Sequence, residues 1–551
     1  MQHRTIATIL TIVIILFGTG PRSSLWAVDH WDSANWLDGF SVFGMVRFRP
    51  FFTANEDFDR STDDTSEFVG QKIQFGIEKK FTEDTRMLLR FQDSRLWGGN
   101  PGSDAGHSTA NDDTSDSLDV REAYLESNNL LGPIGVKIGR QIIHYGSGRQ
   151  LGRSDWNNVG RSFDALEFHW SLGPWKSHLF GAVIAEEDSD SGGNNTHVGR
   201  SNASGFNFNC DATTLACTVT ASTARELDDA YMAAFYNEIE LHPQFQIEPY
   251  YIGIYKKWIP ATTSAYPGFP VAPKERSRQR DNLHTFGIRI TNKTVNGKSA
   301  SDMFDYSVEG AWQTGTTGQR VQAGWDYLNQ TDSAGNPIYT EKVFYGGYAA
   351  NAEVGYRPLP FMRIALIYDR ASGDPNRNDG TASTYYQLYP ANHSPMGIMD
   401  MVGWRNMEGK AAAMDFAFGK YGSLHLKYWH FRKDKLQDSW YGSGGSAVTD
   451  SNGNPLSTET SSNARYNEVL NSNGTIKEHS AAELGQSLFH EYNIEYVLGS
   501  EGLELAFGYG QAYALDSIRN QIDDVYTRPD LAAPSFDPRS DFAYIMLTAK
   551  F

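Results

Sequence analysis

A run of basic residues at positions 139–165 contains the residue types most able to do chemistry. The segment GRQIIHYGSGRQLGRSDWNNVGRSFDA carries four arginines and five glycines, in a chain of 551 residues with a net charge of −18. Glycine permits tight backbone turns, and each guanidinium offers a planar fork to a carboxylate. That carboxylate belongs either to Asp155 and Asp164 or to a ligand. Tyr145 and Trp156 could pack within the protein or stack on a sugar ring.

The same segment is a poor candidate for covalent catalysis. Ser154 and Ser162 lie near His144 in sequence, but no third group is placed to orient the histidine, and proximity alone is weak evidence for a triad. The fourteen histidines include no H-E-x-x-H spacing. The sequence therefore predicts no enzyme and no cofactor. The acidic stretches 55–67 and 103–116 lack EF-hand spacing and leave Ca²⁺ binding by loops as an open alternative.

The N-terminus indicates the compartment. A basic MQHR precedes the apolar run Thr5–Phe17, which has the length of a signal-peptide core and is too short to span a bilayer as a helix. We predict a signal peptide at 1–27, a short periplasmic tail at 28–39 and one domain at 40–551. Cys210 and Cys217 enclose a small polar loop, which predicts a disulfide in an exported protein. The negative net charge argues against a nucleic-acid partner.

The rest of the chain reads as strands, because apolar residues alternate with polar or small ones at a period of two. The last segment, DFAYIMLTAKF, places on one face Ala543, Ile545, Leu547, Ala549 and Phe551. Eighteen such segments start near residues 40, 67, 85, 117, 134, 163, 176, 228, 244, 282, 303, 344, 362, 411, 424, 489, 503 and 542. The connections between them alternate short and long. This pattern predicts an all-β transmembrane antiparallel β-barrel of about 18 strands in the bacterial outer membrane, with long extracellular loops, short periplasmic turns, and lipids and lipopolysaccharide around it.

If the apolar face meets lipid, the other face lines the pore. The basic residues that this rule places inside are Arg47, Arg49, Lys72, Arg86, Arg90, Lys137, Arg289, Arg363 and Lys427. The acidic residues placed inside are Glu78, Glu248, Glu309, Glu353, Glu495 and Glu504. The fourth segment does not alternate strictly between apolar and polar residues, so Arg121 is a weaker candidate for the pore lining. A positive stripe would favour anions; alternatively, the charges pair across strands and solvate a wide pore.

The segment 139–165 resembles the signature of the alginate-export family of outer-membrane barrels. Residues 368–406, 308–315 and 483–496 are also similar to that family. The resemblance implies an eighteen-stranded barrel that exports a polyuronate through an arginine-lined constriction, with possible periplasmic export partners. If the family's constriction is transferred to this sequence by the resemblance, its candidate residues are Arg140, Arg149, Arg161, Arg363 and Arg405.

Two functions remain open from the sequence. One is a channel for anionic saccharides or other anions, and the other is a broad-specificity porin whose arginines only order loops and pair with carboxylates. A third class, a barrel enzyme, would need a Ser/His pair within hydrogen-bond reach. Inward folding of loops 143–162 and 373–410, with Arg149 and Arg405 at the narrowest point, would favour the anion channel. Outward loops would favour the general porin.

Overall fold

The computed structural model describes residues 38–60, 64–97, 116–185, 206–210, 217–221, 230–256, 275–276, 281–293, 303–322, 339–375, 380–391, 393, 395–436, 438–444, 469–470, 476–477, 485–522 and 536–551. The chain divides into two units, Met1–Phe40 and Ser41–Phe551, and the barrel belongs to the second. The predicted signal peptide and residues 28–37 of the predicted tail lie outside the described residues, so these boundaries stay predictions.

Eighteen antiparallel strands form one closed sheet. They are β1 (Phe40–Ala54), β2 (Ser66–Lys80), β3 (Thr85–Trp97), β4 (Asp116–Leu131), β5 (Ile134–Gln141), β6 (Phe163–Leu172), β7 (Trp175–Ala185), β8 (Ala230–His242), β9 (Phe245–Lys256), β10 (Asp281–Thr291), β11 (Phe304–Gln322), β12 (Tyr348–Leu359), β13 (Met362–Ala371), β14 (Met407–Ala417), β15 (Ser423–Arg432), β16 (Ser487–Ser500), β17 (Leu503–Ala514) and β18 (Arg539–Lys550). Each strand pairs with the next, and β18 returns to β1 with Met45 opposite Lys550. Closure leaves no unpaired strand edge in lipid.

The alternation along each strand explains why the sheet closes around a polar interior. In β18, Ile545 and Leu547 point outward with 47% and 40% of their surfaces exposed, whereas Tyr544 and Thr548 face inward and are buried. The predicted strand starts agree with the observed ones to within four residues, the largest differences being at β12 and β14. The predicted 18-stranded barrel is confirmed.

Short and long connections alternate around the barrel as predicted. Two-residue turns follow β4 and β6, and their first residues, Gly132 and Gly173, have φ of 71° and 59°, which glycine adopts without steric cost. Elements outside the barrel strands are the helix Asp516–Ile522, the 3-10 turn Gly419–Tyr421 and the short strands Phe206–Cys210, Cys217–Ala221, Glu275–Arg276, Tyr339–Tyr345, Thr381–Ala382, Val469–Leu470 and Ile476–Lys477. None of the helices in the described ranges is long and apolar enough to cross a membrane.

The cysteines lie in a small hairpin apart from the barrel sheet. Cys210 is the register partner of Cys217 in the two-stranded sheet formed by Phe206–Cys210 and Cys217–Ala221. Directly opposed residues of an antiparallel pair have Cα atoms about 4.5–5.5 Å apart, which is within the span of about 4.4–6.8 Å that a disulfide bridges. The cysteine side chains lie outside the described part of the chain, so the disulfide stays a prediction.

A β-bulge explains why apolar and polar residues do not alternate strictly along the sequence of the fourth strand. Arg90 of β3 pairs with Glu122, but the next residue, Phe91, pairs with Val120, so Arg121 is the extra residue. A bulge sets two residues of one strand against one of its neighbour and re-aims the side chains. Arg121 and Glu122 are both buried on the lumen side as a result.

Two long connections fold back into the barrel and fill part of its extracellular half. Loop A (residues 142–162) packs Ile143 and Leu151 against the inner faces of strands β6 to β10. Loop B (the described residues 372–375, 380–391, 393 and 395–406), together with residues 433–436 and 438–444, packs Tyr385 and Trp404 against the inner faces of β14 to β17. Burial of each such side chain stabilises the packed loops by about 1.5–3 kcal/mol. The lumen is therefore narrowed by protein rather than open across its full width.

Candidate functional site

Cations from two neighbouring strands, β1 and β2, meet the backbone of loop A. Arg47 donates from Nη1 to the Asp155 carbonyl at 2.7 Å and from Nη2 to the Asn157 carbonyl at 3.0 Å. Lys72 donates from Nζ to the same two carbonyls at 3.3 and 2.5 Å. Arg49 donates from Nη1 to the intervening Trp156 carbonyl at 2.5 Å. Three consecutive peptide oxygens thus receive three cations.

These cations share one wall because of strand periodicity and the bulge. Arg47 and Arg49 are two apart on β1 and so point to the same side, with Lys72 beside them on β2. The bulge turns Arg121 of β4 toward the same loop, where it donates to Asp155 Oδ1 at 3.2 Å and to Ser162 Oγ at 3.0 Å. We name Arg47, Arg49, Lys72 and Arg121 the basic wall.

The positive charge of the basic wall is only partly balanced by the side chains that it contacts. Asp155 is shared between Arg121 and Arg153. Within the residues that the structure describes, Arg47 and Lys72 form no ion pair and bond only to carbonyl and amide oxygens. A carbonyl satisfies the donor without cancelling its charge. The described contacts of Arg47 and Lys72 behind loop A therefore supply hydrogen bonds but no carboxylate partner.

Arg161 ties loop A to loop B. Its Nη1 donates to the Pro390 carbonyl at 2.6 Å and to the Gly152 carbonyl at 3.2 Å. Burial, with a smaller contribution from the positive charge of Arg121, lowers the pKa of the Arg161 guanidinium to about 10, against an opposing effect of Tyr389. This arginine fixes the junction between the loops.

An aromatic stack forms a second contact between the loops and the basic wall. The indole of Trp156 lies parallel to the imidazole of His393, with ring centroids 3.4 Å apart. The Arg49 guanidinium carbon lies 3.9 Å from the centroid of the same indole. Asp400 Oδ2 is 3.1 Å from His393 Nδ1. Trp156 therefore packs within the protein.

Arg149, a predicted constriction residue, is neutralised by a buried carboxylate. Its Nε and Nη2 donate to the two oxygens of Asp369 on β13, each at 3.1 Å, and Nη2 also donates to the Pro395 carbonyl. Asn351 donates to Asp369 Oδ1 at 2.9 Å. This bidentate pair joins loop A to the barrel wall.

Arg289 and Arg363 face the lumen as predicted, but both are ion-paired. Arg289 donates from Nη1 to both oxygens of Glu248, at 2.7 and 2.8 Å. Arg363, near the periplasmic turns, bonds Asp305, Glu353 and Asp415 at 2.5 to 3.0 Å. The positive charges of Arg289 and Arg363 are therefore both compensated by carboxylates.

The remaining candidates occupy different environments. Arg90 is inward and pairs with Glu122 at 3.2 Å. Arg405 of loop B has its guanidinium carbon 4.0 Å from the centroid of the Tyr441 ring. Lys427 of β15 is inward and half-buried, and no described residue forms an ion pair or hydrogen bond with its ammonium group.

The placement of Arg140 in the solute path is wrong. Arg140 is two residues from Ile138, whose side chain is 53% exposed on the outer face of β5. It pairs outside the barrel with Asp164 at 3.3 Å and Asp119 at 3.5 Å. Because side chains alternate between the two faces of a strand, Arg140 points to the outer surface. There its guanidinium donates hydrogen bonds to these two carboxylates.

The chain matches the alginate export family over residues 41–189 and 194–490. The chain belongs to the alginate-export family. No curated protein sequence matches it. Solved structures that it resembles are OpdO of Pseudomonas aeruginosa (11% identity, 94% of this chain and 99% of that one, TM-score 0.48), OccAB2 of Acinetobacter baumannii (9%, 94% and 99%, 0.48) and OccK11 (OpdR) of Pseudomonas aeruginosa (12%, 93% and 96%, 0.44). A closed barrel of this family is an outer-membrane channel, and this chain is one.

Sequence reasoning missed three carboxylates of this alginate-export-family channel: Asp305, Asp369 and Asp415. Each pairs with an inward arginine. The period-two rule would have found Asp369, because it is six residues after Arg363 on the same strand and so lies on the same face. The residues predicted to line the lumen are glutamates and cations, with no aspartates among them.

An acidic residue of the first long loop and two serines of loop A form hydrogen bonds within the protein. Asp64 accepts hydrogen bonds from the backbone N–H groups of Asn55 at 2.7 Å and Glu56 at 2.5 Å. Ser154 donates to the Pro390 carbonyl at 3.2 Å and Ser162 to the Arg121 carbonyl at 2.6 Å. No group of three or more His, Cys, Asp or Glu suited to a metal occurs in the described ranges, which exclude most of 103–116, so loop Ca²⁺ stays an open alternative.

Proposed function

We propose that this outer-membrane channel passes anionic solutes, with anionic saccharides as the leading class. The observation that carries the proposal is the basic wall, in which Arg47 and Lys72 are buried against peptide oxygens with no carboxylate partner among the described residues. Both loops that narrow the lumen fold inward, which is the loop placement expected of an anion channel, whereas Arg149 pairs with Asp369.

The selectivity would act through the electric field rather than through direct grip. Charges held in low-dielectric surroundings are weakly screened, and a channel lined by one sign of charge concentrates the opposite ion. The basic wall lies on one side of the narrowed lumen. Of the arginines predicted for the constriction, Arg149 and Arg161 also hold loops A and B in place.

A broad-specificity porin is the second candidate. It is favoured by the neutral pairs Arg149–Asp369 and Arg289–Glu248 and by the three carboxylates around Arg363. If these pairs dominate the potential in the lumen, the basic wall contributes only to loop packing.

Reversal potential across a planar bilayer under a KCl gradient separates the two functions. We compare the wild type with Lys72→Gln, whose amide can still donate to the Asn157 carbonyl, and with Lys410→Gln. Lys410 is the matched control, because it loses the same charge from the outer surface, where its side chain is 61% exposed. The proposal expects an anion-selective wild type, a shift toward cations in Lys72→Gln and no shift in the control.

A solute test follows on the same membranes. Oligogalacturonate added to one side should reduce the wild-type current, and the reduction should be smaller in Lys72→Gln. Cation selectivity with no block by oligogalacturonate would overturn the proposal and leave a general porin.

A further inference from the structure

Two histidines face each other on the outer surface of β15 and β16. His430 is the register partner of His490, their ring centroids are 4.9 Å apart, and the two Nδ1 atoms are 3.3 Å apart. Both side chains are half-buried. The pair lies on the outer face of the barrel, whereas the basic wall lies inside it, so the pair takes no part in the proposed function.

The two close contacts of His490 Nδ1 cannot both be well-directed hydrogen bonds. Tyr428 Oη lies 2.7 Å from the same His490 Nδ1 that His430 approaches. A ring nitrogen carries either one hydrogen or one lone pair. His490 Nδ1 can therefore form a well-directed bond with Tyr428 or with His430, but not with both.

The spacing suits a shared metal ion. Two bonds of about 2.0–2.1 Å to imidazole nitrogens at a near-tetrahedral angle hold those nitrogens about 3.3 Å apart. We propose that His430 and His490 chelate a transition-metal ion through their Nδ1 atoms. Imidazole is the ligand that Zn²⁺, Ni²⁺ and Cu²⁺ share, and these ions form the class that the site would take.

The surroundings leave the site accessible and electrostatically tolerable. Lys410 is opposite His430 on β14, but its Nζ is bonded to Glu408 at 2.9 Å, and Arg432 bonds the same carboxylate. Lys410 and Arg432 have 61% and 41% of their side chains exposed, so the pair lies at the polar margin of the outer face. Tyr428 Oη and water would complete the coordination.

A metal ion bound by both histidines would link the two strands that flank a long loop. β15 ends at Arg432 and β16 begins at Ser487, so the two histidines lie next to the ends of residues 433–486. An ion bound only by the folded protein stabilises it by mass action. The expected effect is protection of this strand pair against unfolding.

The test uses the purified full-length barrel in detergent, titrated separately with ZnCl₂ and CuCl₂ by calorimetry. The variants are His430→Gln and His490→Gln, with His284→Gln as the matched control. His284 also lies on the outer face and has its Nδ1 2.8 Å from a tyrosine hydroxyl, that of Tyr251, but no described histidine faces it. We expect one saturable site, lost in both variants and retained in the control.

A second measurement identifies the ligands independently of affinity. The electron paramagnetic resonance spectrum of bound Cu²⁺ should show splitting by two nitrogen nuclei in the wild type and in His284→Gln. Circular dichroism and heat-modifiable gel migration check that each variant is a folded barrel. Saturable binding that survives in the folded double variant His430→Gln/His490→Gln, or no binding by the wild type, would overturn the proposal.

Discussion

The guanidinium of Arg149 makes two parallel hydrogen bonds of 3.1 Å to the carboxylate of Asp369, across 220 residues of sequence. Asp369 is completely buried, so the pair is shielded from water. Removing one partner of such a pair leaves an uncompensated charge in the interior. The pair therefore fixes loop A to β13.

Arg149→Ala should destabilise the channel by about 3–5 kcal/mol, because Asp369 would remain buried without its partner. Release of loop A should also raise the single-channel conductance. Thermal unfolding and bilayer conductance measure the two effects. Arg153→Ala is the control, since Arg153 lies in the same loop but is 53% exposed and pairs with the half-exposed Asp155, a pair worth about 0–1 kcal/mol. Equal behaviour of the two variants would show that the buried pair does not hold the loop.

Asp155→Asn should make the channel more anion-selective. Asp155 is the carboxylate that Arg121 and Arg153 share, and the asparagine keeps an oxygen acceptor while removing the negative charge. The reversal potential under a KCl gradient should shift in the direction opposite to that expected for Lys72→Gln. Asp541→Asn, which removes a carboxylate from the outer face of β18, should leave the potential unchanged. A shift toward cations in Asp155→Asn would contradict the field effect of the basic wall.

The strands and the facing of their side chains were predictable, because a period of two is a local property of sequence. That rule predicted the inward direction of Arg47, Arg49 and Lys72, whose side chains meet loop A. The same rule predicts that Arg140 points outward, because Arg140 is two residues from the outward Ile138. The family resemblance instead predicts Arg140 in the solute path, and that prediction conflicts with the period of two and with the outward side chain.

The loop contacts were not predictable, because they depend on which distant segments meet inside the barrel. Nothing local to Trp156 indicates that it stacks on His393, more than two hundred residues later. The bulge at Arg121 is a further case, since an inserted residue in one strand shows only against the register of its neighbour. Pairing and close packing carry this information, and both are properties of the folded chain.

Gly152→Ala should separate loop A from loop B. Gly152 N donates to the Tyr389 carbonyl at 2.7 Å, and a Cβ at position 152 would lie 2.6 Å from the Cα of Ala391. A backbone clash of this kind forces a shift, at a cost of about 1–3 kcal/mol. We expect a lower unfolding temperature and noisier open-channel current. Gly310→Ala is the control, because a Cβ there meets nothing within 4 Å.

Lys427→Gln should weaken block of the channel by oligogalacturonate, because Lys427 is inward, half-buried and without an ion-pair partner among the described residues. Its ammonium group is therefore available to a passing carboxylate, whereas Arg289 and Arg363 are occupied by protein carboxylates. The concentration of oligogalacturonate that halves the current should rise in Lys427→Gln and stay at the wild-type value in Arg140→Gln. Arg140 carries the same charge on the outer face, so an effect of Arg140→Gln as large as that of Lys427→Gln would contradict the assignment of these two residues to opposite faces of the barrel.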